Sequence, residues 1–376
     1  MQFVKTEALR MGMRLAKPIY NKDGVLLYER NSKLTYQGIK SIKNFGLIGI
    51  YILEPAEPVP PMTAEDIAFE RFQTMSVFAI KEELGRILQT RKAPKIQVIA
   101  SNIIKNYGRL DHKINFPQNL RSKEDYIYKH SLNVAMLCAM ITRTMNMKPE
   151  EQLETVLAAI VHDIGKLTIS ESLLEKDQLT EQEKVICRAA ESKGHELLEM
   201  IFSSNPNIKR ICAQSRKALL YFKEDKKCSF NIVQGAKVLM VAETFDSMTA
   251  MGARNIPKSE IAVIRLLKER MDIFDKAVVD AFIQSVNLLE PGLAVELSTA
   301  QKALIIQANH RDILYPTVLT FLDNQVIELS DRELYGDIEI KDIMKTMDNR
   351  YVIDVSVLEE NGFLVKKRSL SLYHNN

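Results

Sequence analysis

The 376 residues suffice for two or three domains, and 46% apolar with 26% charged side chains is the make-up of a chain that buries a core. A formal charge of +3 and an isoelectric point near 8.4 are too mild to point to nucleic acid or an anionic membrane as partner. The opening MQFVKTEALRMGMRLAKPIY lacks the apolar stretch of a secretory signal, and no run approaches the roughly 18 apolar residues of a membrane span.

Residues 1–56 read as a small α/β domain. Arg14–Tyr20 and Val25–Tyr28 are short apolar runs separated by the turn signal Asn21-Lys-Asp-Gly24, Leu34–Phe45 has helical spacing, and Leu47–Leu53 reads as a closing strand. Residues 57–62 fall in a proline-rich, extended linker. From 63 to 288 the pattern is helical, with apolar residues at three- and four-residue steps such as Val134, Leu137, Cys138 and Ile141, or Leu153, Val156, Leu157 and Ile160. Residues 289–376 change period. Ala294–Leu297, Lys302–Ile306, Thr317–Phe321 and Gln325–Leu329 read as strands of a small β module, while 338–376 is ambiguous, with Val352–Val357 a candidate strand before a frayed tail. The fold class expected is mainly α: a helical bundle core with a small α/β domain before it and a β module after it. Cys138, Cys187, Cys212 and Cys228 show no C-x-x-C spacing, which fits buried thiols in a reducing cytoplasm.

Two places carry chemistry. In Val161-His162-Asp163-Ile164-Gly165-Lys166 an imidazole and a carboxylate leave the end of a helix together, a donor pair suited to Mn, Fe, Mg or Zn. Gly165 suits a tight helix exit, and Lys166 is placed to hold an anionic oxygen. The alternative is a solvated helix end. His130, in Tyr126-Ile-Tyr-Lys-His130-Ser131-Leu-Asn133-Val, starts another apolar-periodic helix; it is either a second ligand brought to the same point or a core histidine bonded to a carbonyl.

Both segments resemble the HD-GYP branch of the HD superfamily of metal-dependent phosphohydrolases, which shows Tyr-x-x-x-His-Ser-x-x-Val followed by His-Asp-Ile-Gly-Lys. The similarity continues through Ser172-Leu-Leu-Glu-Lys and Leu179-Thr-Glu-Gln-Glu, resumes at Gly235–Thr249, and extends to Phe274–Val279 and Pro291–Leu297, spanning most of the chain. It implies a helical HD fold, a metal set of His130, His162, Asp163 and Glu243, and catalytic roles for Asp163 and Lys166. Glu243 stands where the family carries an Asp. Other departures are larger. The family's Lys-x-His-Pro histidine falls on Ala190. His195, five residues on, points about 140° from the Ala190 direction and is expected not to replace it. The His-His pair falls on Gln214 and Ser215, and Tyr221–Phe230 lacks the Gly-Tyr-Pro loop.

The surviving donors suffice for one divalent ion, not for a cluster. The resemblance thus implies a metal-dependent phosphodiesterase homologue in bacterial second-messenger signalling, with cyclic di-GMP or another nucleotide as ligand and impaired or absent hydrolysis. The competing reading is an inactive signalling or docking module that binds a protein partner and holds no metal. The basic residues Lys209, Arg210, Arg216, Lys217, Lys226 and Lys227 are either an anion-facing surface or a solvated helix face. No nucleic-acid or membrane partner is expected.

Overall fold

Two-residue runs such as Arg14-Leu15 are too short to stand as strands alone, and they are held by pairing with a longer one. The computed structural model describes residues 2–20, 25–44, 49–53, 64–110, 113, 125–174, 176, 178–226, 230–250 and 257–344. At the N-terminus, β1 (Gln2–Lys5) and β2 (Arg14–Leu15) flank β5 (Gly49–Leu53) in an antiparallel sheet ordered β1-β5-β2. β3 (Ile19–Tyr20) and β4 (Leu26–Tyr28) form a separate antiparallel pair. α1 (Tyr36–Asn44) covers this small unit, burying Ile42 against Leu15, Ile50 and Ile52. The Asn21–Gly24 turn, the 57–62 linker, Cys228 and Val352–Val357 lie outside the described residues.

The helical region contains α2 (Ala64–Thr90), α3 (Ile96–Tyr107), α4 (Tyr126–Thr144), α5 (Pro149–Val161), a 3-10 turn (Ile164–Thr168), α6 (Glu171–Leu174), α7 (Glu181–Ile201), α8 (Asn207–Lys223), α9 (Gln234–Thr249), α10 (Glu260–Glu269) and α11 (Lys276–Ser285). Its axis is α4. Every residue from His130 to Thr142 is buried, so this helix has no solvent face and is packed by α2, α3, α5, α9 and α11. Local signals set the boundaries. Pro149 opens α5, where a missing N–H costs no helical bond. Thr180 and Glu183 cap α7 reciprocally, the Thr180 N–H donating to the Glu183 carboxylate at 2.9 Å. The Asp275 carboxylate accepts from the first N–H groups of α11.

The C-terminal strands β6 (Ala294–Leu297), β7 (Lys302–Gln307), β8 (Thr317–Thr320) and β9 (Val326–Glu328) follow the expected register. The short α12 (Arg332–Tyr335) then leads into β10 (Ile340–Ile343). The sheet is antiparallel, ordered β10-β6-β7-β8-β9. Alternation sorts its side chains: Val295, Leu297, Ala303, Ile305 and Val318 join the helical core, while Ala294, Leu304 and Phe321 form a small cluster on the other face. The segment that the sequence left ambiguous from 338 resolves into β10, which adds to β6 and packs on α10. The expected class holds: a mainly α core with two small β-containing units. Cys138 and Cys212 are buried, and Cys187 is half-buried. Among the described residues no helix is long and apolar enough to cross a membrane.

Candidate metal centre

The centre forms where the first turns of α4 meet the end of α5 and the middle of α9. His130 projects from α4, His162 and Asp163 follow α5, and Glu243 and Asp246 share one face of α9, three residues apart. His130 Nδ1 lies 2.6 Å from Asp246 Oδ2, and His162 Nδ1 lies 2.7 Å from the Ala159 carbonyl oxygen. Both partners are acceptors only, so in the neutral rings each Nδ1 carries the proton and donates it. Each Nε2 is then a lone pair. These two lone pairs face each other at 3.3 Å, too close to be comfortable without a cation between them.

Asp163 Oδ2 completes the triangle, 3.7 Å from His130 Nε2 and 3.6 Å from His162 Nε2. A triangle with these edges has a circumradius of about 2 Å, the distance at which nitrogen and oxygen donors bind a first-row ion. The donor set therefore fits a divalent metal. His130, His162 and Asp163 each offer an atom within 4.8 Å of the others. Glu243 is outside that mutual group. Its Oε2 reaches 3.6 Å from His162 Nε2, so of the four expected donors three converge and the fourth stands at the rim, one methylene longer than an Asp.

Electrostatics keep the carboxylate ready. Burial pushes Asp163 upward, but the Lys166 ammonium, with His162 and His130, outweighs it and holds the carboxyl below its ordinary range. Lys166 Nζ donates to Asp163 Oδ2 at 2.6 Å. Burial disfavours the Lys166 charge; Asp163 and Glu243 restore it, and its pKa is raised.

The mouth is a narrow cleft of about 20 Å³, lined by His162, Asp163, Lys166, Glu191, His195 and Arg216. It is smaller than most sites that enclose a drug-sized ligand. One expectation is corrected here. Gly165 does not cap a helix: α5 ends at Val161, and Gly165 sits within the 3-10 turn without a positive φ. Its missing side chain matters for close approach, since a Cβ there would lie 2.5 Å from the Ala190 carbonyl oxygen. His195 lines the cleft beside Glu191 and Gly194, whereas Ala190 packs against Gly165. His195 is not among the three converging donors. Burial, with Lys209 and Arg216, lowers its pKa against the pull of Glu191.

The positions expected to hold a His-His pair serve other ends. Gln214 Oε1 accepts from the Val233 N–H at the start of α9 at 2.8 Å, and the Ser215 hydroxyl is buried without a partner. Arg216 turns into the cleft and grips Glu191 with both arms of its guanidinium, Nε lying 3.1 Å from Oε2. The basic segment therefore divides. Arg216 faces the site, whereas Lys209 pairs with Glu199, Lys226 with Glu224, and Lys217 lies over the Phe230 ring; Lys227 is outside the described residues.

Sequence reasoning missed Asn133, Asp246 and Glu191. Asn133 donates to Asp246 Oδ1 at 2.8 Å and is wholly buried, as is Asp246. The signal was present: Asn133 follows His130, and Asp246 follows Glu243, at the three-residue step that shares a helix face.

Residues 127–228 match the HD domain family model. The chain is similar to a cyclic di-GMP phosphodiesterase of Pseudomonas aeruginosa, 23% identical over 245 residues, covering 63% of this chain and 57% of that protein. It is also similar to a 3'3'-cGAMP-specific phosphodiesterase of Vibrio cholerae, 31% identical over 85 residues, covering 22% of this chain and 20% of that protein. The matches thus span just over half of one relative's length and a fifth of the other's. With its histidine-aspartate centre at the junction of α4, α5 and α9, the chain carries an HD domain over residues 127–228 and resembles proteins of the HD-GYP type.

Proposed function

We propose that the chain is a one-ion phosphohydrolase acting on a nucleotide phosphodiester of the cyclic-dinucleotide class, with impaired hydrolysis of cyclic di-GMP. The observation that carries this reading is the meeting of two imidazole lone pairs and one carboxylate oxygen at 3.3–3.7 Å, with both Nδ1 protons already committed elsewhere. His130, His162 and Asp163 would hold the ion, with the Glu243 carboxylate beside His162 at the rim. The ion, when bound, supplies Lewis-acid activation of water and of a phosphoryl oxygen. Asp163, ionised beside Lys166, accepts a proton from the attacking water. Lys166 balances the charge that grows on a non-bridging phosphate oxygen.

The impairment follows from the rest of the cleft. Glu191 and Arg216 neutralise each other there, and with Ala190, Gln214 and Ser215 at the other positions His195 is left as a lone further imidazole in the described lining, too few donors for a second ion. Two ions clamp both the attacking and the leaving oxygen, and one ion clamps them less well. The same observation favours a second reading, an inactive module that keeps the fold for signalling or docking. Incubating the protein with cyclic di-GMP, or with 3'3'-cGAMP, and Mn²⁺ tests both. One-ion catalysis gives linear product below about 0.1 s⁻¹, two decades under the usual enzyme turnover, and none with Asp163→Ala. Turnover near 10 s⁻¹ refutes the impairment, and a metal-loaded protein with no product supports the inactive module.

A further inference from the structure

The buried stripe of α2 runs Phe69, Gln73, Val77, Ile80, Glu83, Leu84 and Ile87, with Glu83 answered by Arg86 and the Lys95 N–H. Gln73 breaks its first turns: an amide, 2% exposed, between Phe69 and Val77. Its Nε2 donates to Asn133 Oδ1 at 3.3 Å, Asn133 Nδ2 donates to Asp246 Oδ1 at 2.8 Å, and Asp246 Oδ2 accepts from His130 Nδ1 at 2.6 Å. All four side chains are buried. The chain of bonds is directional. With a donor from Gln73 facing its Oδ1, the Asn133 amide must turn its NH₂ to Asp246, and the second Asp246 oxygen is left to take the His130 proton. Among the described residues Gln73 Oε1 has no partner, so the position carries an unmet buried acceptor that a leucine or methionine would not.

We propose that Gln73 is a positioning residue for the metal centre, contributed by a helix that precedes the 127–228 domain. It fixes the Asn133 amide, which fixes the Asp246 carboxylate, which holds the His130 ring with Nε2 turned to the ion. Outer partners of metal-bound histidines act in this way, by setting tautomer and ring orientation. The inference rests on the reading of His130 as a ligand, and it adds a residue whose burial and packing alone give no reason for an amide.

The test uses the full chain and two variants, Gln73→Met, near-isosteric and apolar, and Gln73→Glu, which sets an acceptor against Asn133 Oδ1. Zn²⁺ or Mn²⁺ titration is expected to show binding weakened about tenfold in Gln73→Met, the lower end for an outer partner, and more in Gln73→Glu. A packing role would instead move thermal stability and leave affinity alone. Gln73→Met removes the unmet Gln73 acceptor but takes a donor from Asn133 Oδ1, so the two effects offset and the unfolding midpoint should change little. In metal-free protein with ¹⁵N-labelled histidine, the His130 Nδ1–H resonance should shift or broaden in Gln73→Met. Wild-type affinity together with an unchanged His130 resonance in Gln73→Met overturns the proposal. If wild type binds no metal, the metal reading fails separately, and the resonance alone decides whether Gln73 positions His130.

Discussion

Replacing Asp246 with Asn leaves the shape of a wholly buried side chain nearly unchanged and reverses half of its hydrogen-bonding. Among the interactions of the described residues, the carboxylate accepts from His130 Nδ1 at 2.6 Å and Asn133 Nδ2 at 2.8 Å. A carboxamide offers one acceptor and one donor, so one bond is lost, or the His130 ring changes tautomer and points an N–H at the ion. A hydrogen bond to a charged group contributes about 1.5–3 kcal/mol, so Asp246→Asn should lower stability by about 2 kcal/mol. Loss of an outer partner lowers metal affinity by about 10–100-fold, equivalent to about 1.4–2.7 kcal/mol. Chelator competition with Zn²⁺ reads the affinity. Denaturant unfolding with and without metal gives the same quantity independently, because a ligand that binds only the folded state raises its stability by RT ln(1 + L/Kd), where L is the free ligand concentration. A folded Asp246→Asn protein that binds metal within twofold of wild type would refute the tautomer argument.

Three further outcomes follow from packing and charge. Gly165→Ala sets a Cβ 2.5 Å from the Ala190 carbonyl oxygen and 3.1 Å from Glu191 Cα, both backbone, so α7 must shift and stability should fall by about 1–3 kcal/mol. Gly85→Ala on α2 meets nothing within 4 Å and should instead gain about 0.5–1 kcal/mol, so unfolding of the pair separates local crowding from helix propensity. Burial raises the Asp275 carboxyl, but the Lys237 ammonium at 2.7 Å and the N–H groups of Val278 and Ala277 outweigh it and leave it depressed. A depressed carboxyl stabilises the fold fully above its unfolded value near about pH 4 and loses that contribution as pH falls from there toward the folded value. Asp275→Asn should therefore cost about 0.5–1 kcal/mol at pH 7, and its deficit against wild type should shrink in unfolding curves below pH 4.

The parts of this molecule governed by local chemistry were legible in the sequence. Three- and four-residue apolar steps located α4 and α5, period-two runs located β6 to β9, and the His-Asp step with His130 located three converging donors. Choices made between distant segments were not legible. β10 exists because Ile340 and Asp342 find β6, more than 40 residues earlier, and nothing in its own residues demands a strand. That His195 lines the cleft was not legible, because the cleft's side of α7 is set by the close approach of the 3-10 turn to Ala190. Arg216 looked like one member of a basic helix face, and only its pairing with Glu191 on α7 turns it into the cleft. Gln73 lies in an apolar period and gave no sign of its partner 60 residues later.

The central claim is one cation held by His130, His162 and Asp163, and elemental analysis of protein purified without added metal tests it most directly. About one equivalent of a first-row divalent ion is predicted for wild type, with loss in His162→Ala and retention in a surface control such as Lys209→Ala. Wild type that carries and takes up no metal, or His162→Ala that keeps its full equivalent, would contradict the account.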